Sequence, residues 1–371
     1  MNKVRFGDVV SEVKLNVDRS CNPYAHYVAG DHMDSEDLTI HRYGNFATDD
    51  VGPAFTRIFK PGQILYGSRR TYLKKVAVAS FEGICANTTF VLESKDESVF
   101  DNRLLPFVIL SDKFTQWSIS HSKGSTNPYV LFSDLASFEF TLPPIEEQRV
   151  LADKLWTAYK LKESYKNLLV ATDEMVKSQF IEMFKDLPIN GKIEDLVERN
   201  IASVKKSYQS GDEIEYIDIS SIDNTSNTVV ETTKYEVASA PSRAQQCVKN
   251  GDILVSTVRP INRNIAVVTS NLPDLVASTG FCILRPKDGY REYLLSVVKS
   301  DAYTERMCDK ASGGLYPAVN NSDVLSYGIH IPNKELAQKV SSIYQQADKS
   351  KFELRKSIDA IDAVIKSLIN G

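Results

Sequence analysis

The amino-acid sequence contains one internal repeat. Its two copies lie 189 residues apart, so that Gly62 corresponds to Gly251. The stretch KPGQILYGSRRTYLKKVAVAS at 60–80 returns as KNGDILVSTVRPINRNIAVVT at 249–269. The same offset carries Ser133-Asp134 onto Ser322-Asp323. Because 371 residues is almost twice the offset, we interpret the chain as two tandem copies of one module. A diverged duplication indicates two similar surfaces, whereas a single active site would be unique.

Charge and cysteine content restrict the class of protein. The 44 basic and 48 acidic residues give a net charge of −4, so any nucleic-acid binding must use local basic patches. Five cysteines without a CxxC pair indicate reduced thiols in a cytosolic protein. The polar N-terminus and the lack of an apolar run of about 18 to 20 residues argue against a signal peptide and a membrane span. We therefore expect a soluble, cytoplasmic protein without membrane contact.

The pattern along the chain predicts an α+β fold in which each of two mixed α/β domains is followed by a long helix. Short strand-like runs at 63–66 and 76–79 are separated by Gly, Pro, Asn and Asp turns, and near-helical spacing predicts one helix over 103–117. The predicted segments are a first domain at 1–143, a first long helix at 144–186, a second domain at 187–332 and a second long helix at 333–371.

Two long helices are predicted from uninterrupted heptad patterns. No Pro or Gly occurs in 145–184, and Pro144 suits the first helical position. Apolar heptads recur over 334–369. An amphipathic surface helix is the alternative for either one alone, but the matching positions favour an antiparallel coiled coil with a stripe left for partner helices. The residues expected to hold it are Leu155, Leu169, Val176, Leu354, Ile358, Ile361 and Ile365.

A basic segment recurs in both copies. The residues 57–75 contain six cations and no acid, and the residues 243–263 contain four cations against one acid, Asp252. Cations bind phosphates, and Arg and Asn can pair two hydrogen bonds with base edges. A solvated loop beside a strand is the alternative explanation for each segment. Its recurrence in an otherwise acidic chain favours DNA contact.

A second repeated feature precedes each long helix: HSKGSTNPYVLFSDL at 121–135 and KASGGLYPAVNNSDV at 310–324. Gly and Ser let a backbone approach a ligand closely, and their N–H groups can meet phosphate oxygens, although tight turns alone also explain them. The candidate DNA contacts from both features are Arg57, Arg69, Arg70, Tyr72, Lys74, Lys75, Lys123, Ser125, Thr126, Arg243, Arg259, Asn262, Arg263, Asn264, Ser312 and Tyr316.

Catalytic patterns are weak in this sequence. Asn127-Pro128-Tyr129 lacks the second Pro of an amino-methyltransferase motif, and Glu93-Ser94-Lys95 lacks the upstream Pro-Asp of a nuclease motif. The histidines at 26, 32 and 41 lie among acids without the spacing of a known metal site. No phosphate-binding GxxxxGK[ST] sequence is present. The repeat duplicates no acid, base or nucleophile, so we expect neither catalytic residues nor a metal site.

The junction LPPIEEQRVLADKL at 142–155 resembles the specificity subunits of type I restriction-modification systems. The segments GDILVSTVRP at 251–260 and VASTGFCILRP at 276–286 look like the target-recognition domains of that family. The resemblance covers essentially the whole chain as recognition domain, helix, recognition domain, helix. The second junction, IPNKELAQ at 331–338, departs from the pattern: it keeps one Pro, one Glu and the Gln with one residue inserted.

The resemblance implies a non-catalytic subunit that reads double-stranded DNA. Each recognition domain would read one half of an asymmetric bipartite target, and the helices would set the gap and dock two methyltransferase subunits. An ATP-dependent translocating nuclease subunit can join such a complex. The chain itself would bind no cofactor, since S-adenosylmethionine, ATP and Mg belong to the partners. Alternatives are a methylation-only complex, a fused enzyme, or a protein-interaction scaffold whose repeats do not touch DNA.

Overall fold

The structure is a computed structural model, and it describes residues 2–18, 21–224 and 226–371. The chain forms two compact units. The first unit is Met1–Lys166 with Arg355–Gly371, and the second is Asn167–Leu354. Both long helices cross from one unit into the other, so the division into four segments inferred from the sequence stays a prediction. The mixed α+β composition of each unit confirms the predicted fold class.

In its described residues, the first unit contains ten strands, four short helices and the start of a long one. The strands are β1 (Asn2–Arg5), β2 (Val10–Glu12), β3 (His26–Val28), β4 (Gly44–Asn45), β5 (Phe55–Phe59), β6 (Ile64–Gly67), β7 (Val76–Val78), β8 (Gly83–Ala86), β9 (Thr89–Ser94) and β10 (Glu139–Leu142). The helices are α1 (Phe6–Val9), α2 (Leu105–Leu110), α3 (Asp112–Ser120), α4 (Phe132–Ala136) and α5 (Ile145–Phe184).

The second unit repeats this plan. Its strands are β11 (Gly191–Lys192), β12 (Glu213–Ile217), β13 (Ile222–Asp223), β14 (Thr228–Val229), β15 (Thr233–Glu236), β16 (Ala244–Cys247), β17 (Ile253–Ser256), β18 (Ile265–Val267), β19 (Leu275–Ser278), β20 (Phe281–Leu284) and β21 (Gly328–Ile329). Its helices are α6 (Val204–Ser207), α7 (Arg291–Lys299), α8 (Asp301–Lys310), α9 (Asn321–Leu325) and α10 (Lys334–Asn370).

Two larger sheets in each unit have matching strand orders. The order β4-β3-β8-β5 in the first unit corresponds to β15-β12-β19-β16 in the second, and β9-β6-β7 corresponds to β20-β17-β18. The units differ at the edges of the sheet that contains these three strands. In the first unit β2 is added beside β9, and in the second unit β14 and β13 are added beside β18. The repeat therefore preserves the sheet frame and varies its borders.

The central strand of each repeated sheet is buried on both faces. Ile64 and Tyr66 point into the core that contains the helices, whereas Leu65 packs into a second core with Val28 and Phe59. The strand β17 divides in the same way between two cores of the second unit. Side chains alternate between the faces of a strand, so a continuous apolar run buried on both sides is expected here.

The predicted helix over 103–117 is wrong as one element. A 3₁₀ turn covers Asn102–Leu104, and the α-helices Leu105–Leu110 and Asp112–Ser120 follow it with a break at Ser111. Ser111 has extended backbone, and its hydroxyl accepts a hydrogen bond from the Phe114 amide. The apolar spacing continued through Ser111, but a serine that caps the next helix ended the first one.

The first long helix begins one residue after the predicted start, at Ile145, and ends at Phe184. The side chain of Gln148 is buried in its first turn. Its amide donates to the carbonyls of Val99 and Pro143 at 2.9 and 2.8 Å, and its oxygen accepts from the Asp101 amide at 3.0 Å. One buried side chain thus pairs with three backbone groups at the start of the helix, which explains the Gln of the junction motif.

The second long helix begins at Lys334, which keeps the offset of 189 from Ile145. Ala337 donates its amide to the Asn333 carbonyl as Gln148 does to Pro144, both at 3.0 Å. Ala337, and not the exposed Gln338, therefore corresponds to Gln148. The prediction that one residue is inserted at the second junction is wrong. The Asn333 side chain accepts from the Leu336 amide at 2.8 Å, so an Asn cap replaces the Pro start.

Within the first unit, the start of α5 packs against the end of α10. Leu155 and Ile365 are buried in one core, and the half-buried Ile361 packs against it. Leu155 lines the same cleft as Leu368, whereas Lys162 pairs with Asp362 at 2.6 Å. Residue numbers therefore rise along α5 as they fall along α10, which is the predicted antiparallel arrangement. Ile358 is half-buried here.

Within the second unit, the end of α5 lies beside the start of α10. The Lys351 ammonium pairs with Asp173 at 2.9 Å. Val176 is buried, and Leu169 and Leu354 are half-buried. Among the described residues, neither these helices nor the shorter ones are long and apolar enough to cross a membrane.

Candidate nucleic-acid interface

A tight turn with unusual backbone geometry occurs at the same place in both units. In the first unit a 3₁₀ turn at Thr71–Leu73 lies between Arg70 and Lys74, whose φ angles are 49° and 48°. In the second unit the turn Pro260–Asn262 lies between two arginines with φ of 48° and 50°. Left-handed backbone costs a non-glycine residue roughly 1–2 kcal/mol. Its recurrence on four cations marks this turn as a candidate functional element.

The glycine-containing loop that follows in the sequence packs directly on this turn. The amide of Arg70 donates to the Pro128 carbonyl at 2.7 Å, and the amide of Arg259 donates to the Pro317 carbonyl at the same distance. The two loops also pair as β-bridges, from Arg69 to Tyr129 in the first unit. The structure thus brings the two repeated sequence features together in each unit, which the sequence did not predict. We call each such pair of loops a recognition tip: 68–75 with 122–130, and 257–264 with 311–319.

Glycines allow the second loop of each recognition tip to close. Lys123 and Tyr129 exchange backbone hydrogen bonds of 2.7 and 2.9 Å, and Ser312 and Ala318 exchange bonds of 3.0 and 2.9 Å. Inside these closed loops Gly124 has a φ of 87°, and the corresponding glycine at 313 has a φ of 108°. Such angles strain any residue with a Cβ, so glycine is required there. Ser125, Thr126 and Ser312 are exposed on these loops.

The predicted cations of the first recognition tip divide into free and paired groups. Arg69 and Arg70 are exposed, and the Arg69 guanidinium lies 5.8 Å from the ring centre of Tyr129. Tyr72, at the middle of the turn, is 52% exposed. Arg69, Arg70 and Tyr72 therefore form the available surface, in which an arginine over an aromatic ring is held in one orientation.

The lysines of the first recognition tip contact other groups of the same unit. Lys74 pairs with Glu36 at 2.8 Å, and Lys75 donates to the Gly30 carbonyl at 2.5 Å. Lys123 pairs with Asp134 at 3.1 Å. These contacts position the tip, and they leave the ammonium groups less available for phosphates than the sequence suggested.

Arg57 lies apart from the recognition tip, although it belongs to the same basic segment of the sequence. Its guanidinium pairs with Glu12 at 3.1 Å, donates to the Val13 carbonyl, and is 11% exposed. Both side chains of this ion pair are largely buried, so removing either partner would leave a buried charge without its counter-charge, which is costly. Arg57 therefore has a structural place in the fold and not a place on the exposed surface.

The second recognition tip presents different side chains on the same frame. Arg259 lies over the Tyr316 ring with 4.5 Å to its centre, and it donates to the Leu315 carbonyl at 3.2 Å. Arg263 pairs with Asp301 at 2.7 Å. Hydrogen bonds from Lys177 and Arg263 lower the pKa of the Asp301 carboxyl, which keeps the pair ionised.

The remaining residues predicted for the second unit flank this tip. Asn262 is exposed and its carbonyl accepts from the Asn224 side chain at 2.9 Å, whereas Asn264 is half-buried. Arg243 is exposed just before β16, and its carbonyl accepts from the Thr279 amide at 2.9 Å. Arg243 therefore belongs to a neighbouring strand start and not to the two loops.

One group of the first unit has the atoms to bind a metal ion. Ligand atoms of Asp37, His41 and Glu163 lie within 4.8 Å of one another. The Lys166 ammonium, however, lies 2.9 Å from both carboxylates and supplies the positive charge. Burial would raise the pKa of Asp37, but hydrogen bonds from Tyr159, the Thr39 amide and Lys166 lower it to about 2. The group therefore joins the loop 37–41 to the long helix as an ion-pair network.

Comparison with protein families supports a relation to DNA specificity proteins. Residues 38–170 match the family model described as type I restriction modification DNA specificity domain. The HindI type I specificity subunit of Haemophilus influenzae is 32% identical over 127 residues, covering 33% of this chain and 28% of that protein. The EcoDI type I specificity subunit of Escherichia coli is 25% identical over 185 residues, covering 49% and 40%. The matched regions thus span well under half the length of these relatives.

Solved structures resemble this chain over almost its whole length. A chain from a study of complex assembly and conformational transition of the type I R-M system superposes with a TM-score of 0.56 at 18% identity, covering 99% of this chain and 96% of that one. The type I S subunit from M. genitalium superposes with a TM-score of 0.53 at 12% identity, covering 99% and 94%. At these identities the likeness concerns the fold.

Proposed function

We propose that this chain, a member of the type I restriction-modification specificity-subunit family with its DNA specificity domain at 38–170, reads an asymmetric bipartite DNA target. One recognition tip would read one half of the target, and the other tip would read the second half. The proposal rests most directly on one observation: the same strained, cation-flanked turn occurs in both units and carries different exposed side chains.

The chemistry of the recognition tips supports DNA as the ligand. Exposed arginines such as Arg70 and Arg259 present paired donors that suit phosphate oxygens or the O6 and N7 acceptors of guanine. Glycine loops beside them let the backbone approach the duplex closely. Such local cations suffice for binding even though the whole chain has a net charge of −4.

The difference between the tips supports an asymmetric target. The turn reads Thr71-Tyr72-Leu73 in the first unit and Pro260-Ile261-Asn262 in the second. Because the backbone of the two turns is alike, a change of side chain changes which base edges can be contacted. The two tips carry unlike side chains, so we expect them to prefer different bases and the two half-sites to differ.

The long helices would act as the spacer and as the partner surface. Several apolar side chains on them are exposed, among them Leu161 and Val364 in the first unit and Leu168 and Met175 in the second. These residues support docking of two methyltransferase subunits and, in a restriction complex, of translocating nuclease subunits. S-adenosylmethionine, ATP and Mg would then be bound by the partners, and this chain would contribute recognition without catalysis.

The test is DNA binding by the purified chain with and without its methyltransferase partner, measured by fluorescence anisotropy at several salt concentrations. We expect sequence-specific binding whose affinity rises when the partner is added and falls strongly as the salt concentration rises. Methyl transfer or cleavage by the chain alone would establish an enzyme. Partner binding without DNA binding would establish a scaffold.

A further inference from the structure

Two large apolar side chains protrude from the second recognition tip. Ile261, in the middle of the 3₁₀ turn, is 67% exposed, and Leu315, in the glycine loop, is 81% exposed. Single exposed apolar residues are common on protein surfaces and need no explanation by themselves. These two are unusual because of how firmly the backbone beneath them is held.

The turn beneath Ile261 is held by several hydrogen bonds. The amide of Asn262 donates to the Arg259 carbonyl at 2.9 Å, and the amide of Arg263 donates to the Pro260 carbonyl at 3.0 Å. The Asn224 side chain donates to the Asn262 carbonyl from outside the turn at 2.9 Å. An apolar side chain on a fixed backbone loses little entropy when a ligand covers it.

The loop beneath Leu315 is tied to the same turn through one arginine. The Arg259 guanidinium donates to the Leu315 carbonyl at 3.2 Å and lies over the ring of Tyr316. A Cβ added to Gly313 would lie 3.2 Å from the Tyr316 carbonyl oxygen, so this backbone is closely packed. Arg259 therefore links the turn that carries Ile261 to the loop that carries Leu315, and it places a positive charge beside both side chains.

This combination of charge and apolar groups suits a duplex better than a purely apolar partner. Among the described residues, the Arg259 guanidinium contacts the Leu315 carbonyl and the Tyr316 ring and forms no ion pair with a carboxylate, which leaves its charge for a polyanion. Cations next to a groove contact phosphates, and apolar side chains read the one apolar group of the major groove, the thymine 5-methyl. Arginine alone would position the protein without recognising thymine.

We infer that Ile261 and Leu315 are specificity-determining residues that contact thymine methyl groups in the half-site read by the second unit. This inference rests on the proposed function. The offset of 189 places Tyr72 and Thr126 at the corresponding positions of the first unit, where the exposed side chains are an aromatic ring and a hydroxyl-bearing residue. The thymine contacts inferred here therefore concern the half-site that the second unit reads.

The test begins with selection from a random duplex library by the full chain in complex with its methyltransferase partner. The complexes compared are wild type, Ile261→Ala and Leu315→Ala. We expect wild type to select a split sequence with thymines in one half, and each variant to lose its preference at one or two of those positions. The other half-site should keep its preference in both variants.

Replacing each selected thymine by deoxyuridine then removes only the methyl group. Wild type should bind the uracil duplex about four-fold more weakly, the effect expected for burying one methyl-sized group. The Ile261→Ala or Leu315→Ala variant that lost the contact should show no further loss on the same duplex. Equal losses in wild type and both variants would overturn the inference.

The matched control is Leu272→Ala. Leu272 is 51% exposed and lies between β18 and β19, at the end of β18 away from the turn. It should select the same sequence as wild type. Unchanged preferences in both tip variants overturn the inference while leaving the proposed function intact. A wild-type complex that selects no sequence at all overturns the proposed function itself.

Discussion

At the scale of single residues, Arg259 is the side chain whose contacts bear most directly on reading DNA. We predict that Arg259→Ala weakens binding to DNA carrying one of the two half-sites by about 1–3 kcal/mol if the contact to a base is bidentate. Anisotropy titrations with each half-site scrambled in turn measure this effect. Arg199→Ala is the control, because Arg199 is an exposed arginine of the same unit whose side chain is 76% accessible. An equal loss on every DNA sequence would leave Arg259 with a phosphate role only.

A second prediction at this scale concerns Asp37. Its pKa of about 2 lies below the value of about 3.9 for an unstructured Asp. A depressed pKa stabilises the folded state above about pH 4, and this contribution is lost as the pH falls towards 2. Urea unfolding should show Asp37→Asn less stable than wild type by about 2 kcal/mol at pH 7, with a smaller difference at pH 3.

The control for Asp37 is Asp50→Asn, which changes an exposed Asp of the same unit. It should alter the free energy of unfolding by less than about 0.5 kcal/mol at either pH. A destabilisation by Asp37→Asn that is equal at pH 7 and pH 3 would show that the ion-pair network does not depend on the charge of this carboxylate.

The sequence predicted the cations of the recognition tips but not their pairing. Lys74 meets Glu36, and Arg57 meets Glu12, and in each case the acid lies tens of residues earlier in the chain. A pattern of local charge contains no information about such partners, because they are brought together only by the fold. The strong exposure of Ile261 and Leu315 was not predicted either, because without a structure an apolar residue is expected to be buried.

At the scale of elements, the glycine loop of the second tip can be tested with neighbouring substitutions. Gly313 has a φ of 108°, so Gly313→Ala strains the loop by roughly 1–2 kcal/mol. A Cβ added to Gly314 would meet no atom within 4 Å, so Gly314→Ala is the matched control. We expect Gly313→Ala to weaken binding to one half-site while Gly314→Ala leaves it unchanged. If the two variants bind alike, the shape of this loop does not matter for recognition.

The packing of the long helix in the first unit gives a second prediction. Ile365 is buried, and replacing a buried Ile by Ala costs about 2–5 kcal/mol. The adjacent Val364 is 52% exposed, so Val364→Ala should cost less than about 0.5 kcal/mol. Urea unfolding followed by circular dichroism compares the two. Similar losses of stability for both substitutions would contradict the assignment of Ile365 to the buried face of α10 and of Val364 to its exposed face.

The long helices were predicted closely because their signals are local. No Pro or Gly occurs between Pro144 and Pro188, and the structure places the helix Ile145–Phe184 inside that stretch. The break at Ser111 and the register at Asn333 were missed because a single capping side chain decides each of them. The contact between the turn and the glycine loop was also missed, since it depends on sheet pairing between distant segments.

At the scale of the whole molecule, the chain consists of one structural frame used twice. Both units keep the same central sheets, the same strained turn and the same glycine loop, and they differ in the side chains placed at the tips. The resemblance seen at the first helix junction and the match of residues 38–170 to the specificity family agree with that frame. A duplicated catalytic centre would instead repeat its reacting side chains.

The most direct test is methylation-sensitive sequencing of a genome that carries this chain with its methyltransferase partner. We expect one asymmetric motif in two parts with a fixed gap. We also expect Arg70→Ala and Arg259→Ala to relax opposite halves of that motif, since the two arginines occupy equivalent places in different units. A single uninterrupted motif, or two variants that relax the same half, would contradict the claim that one frame reads two half-sites.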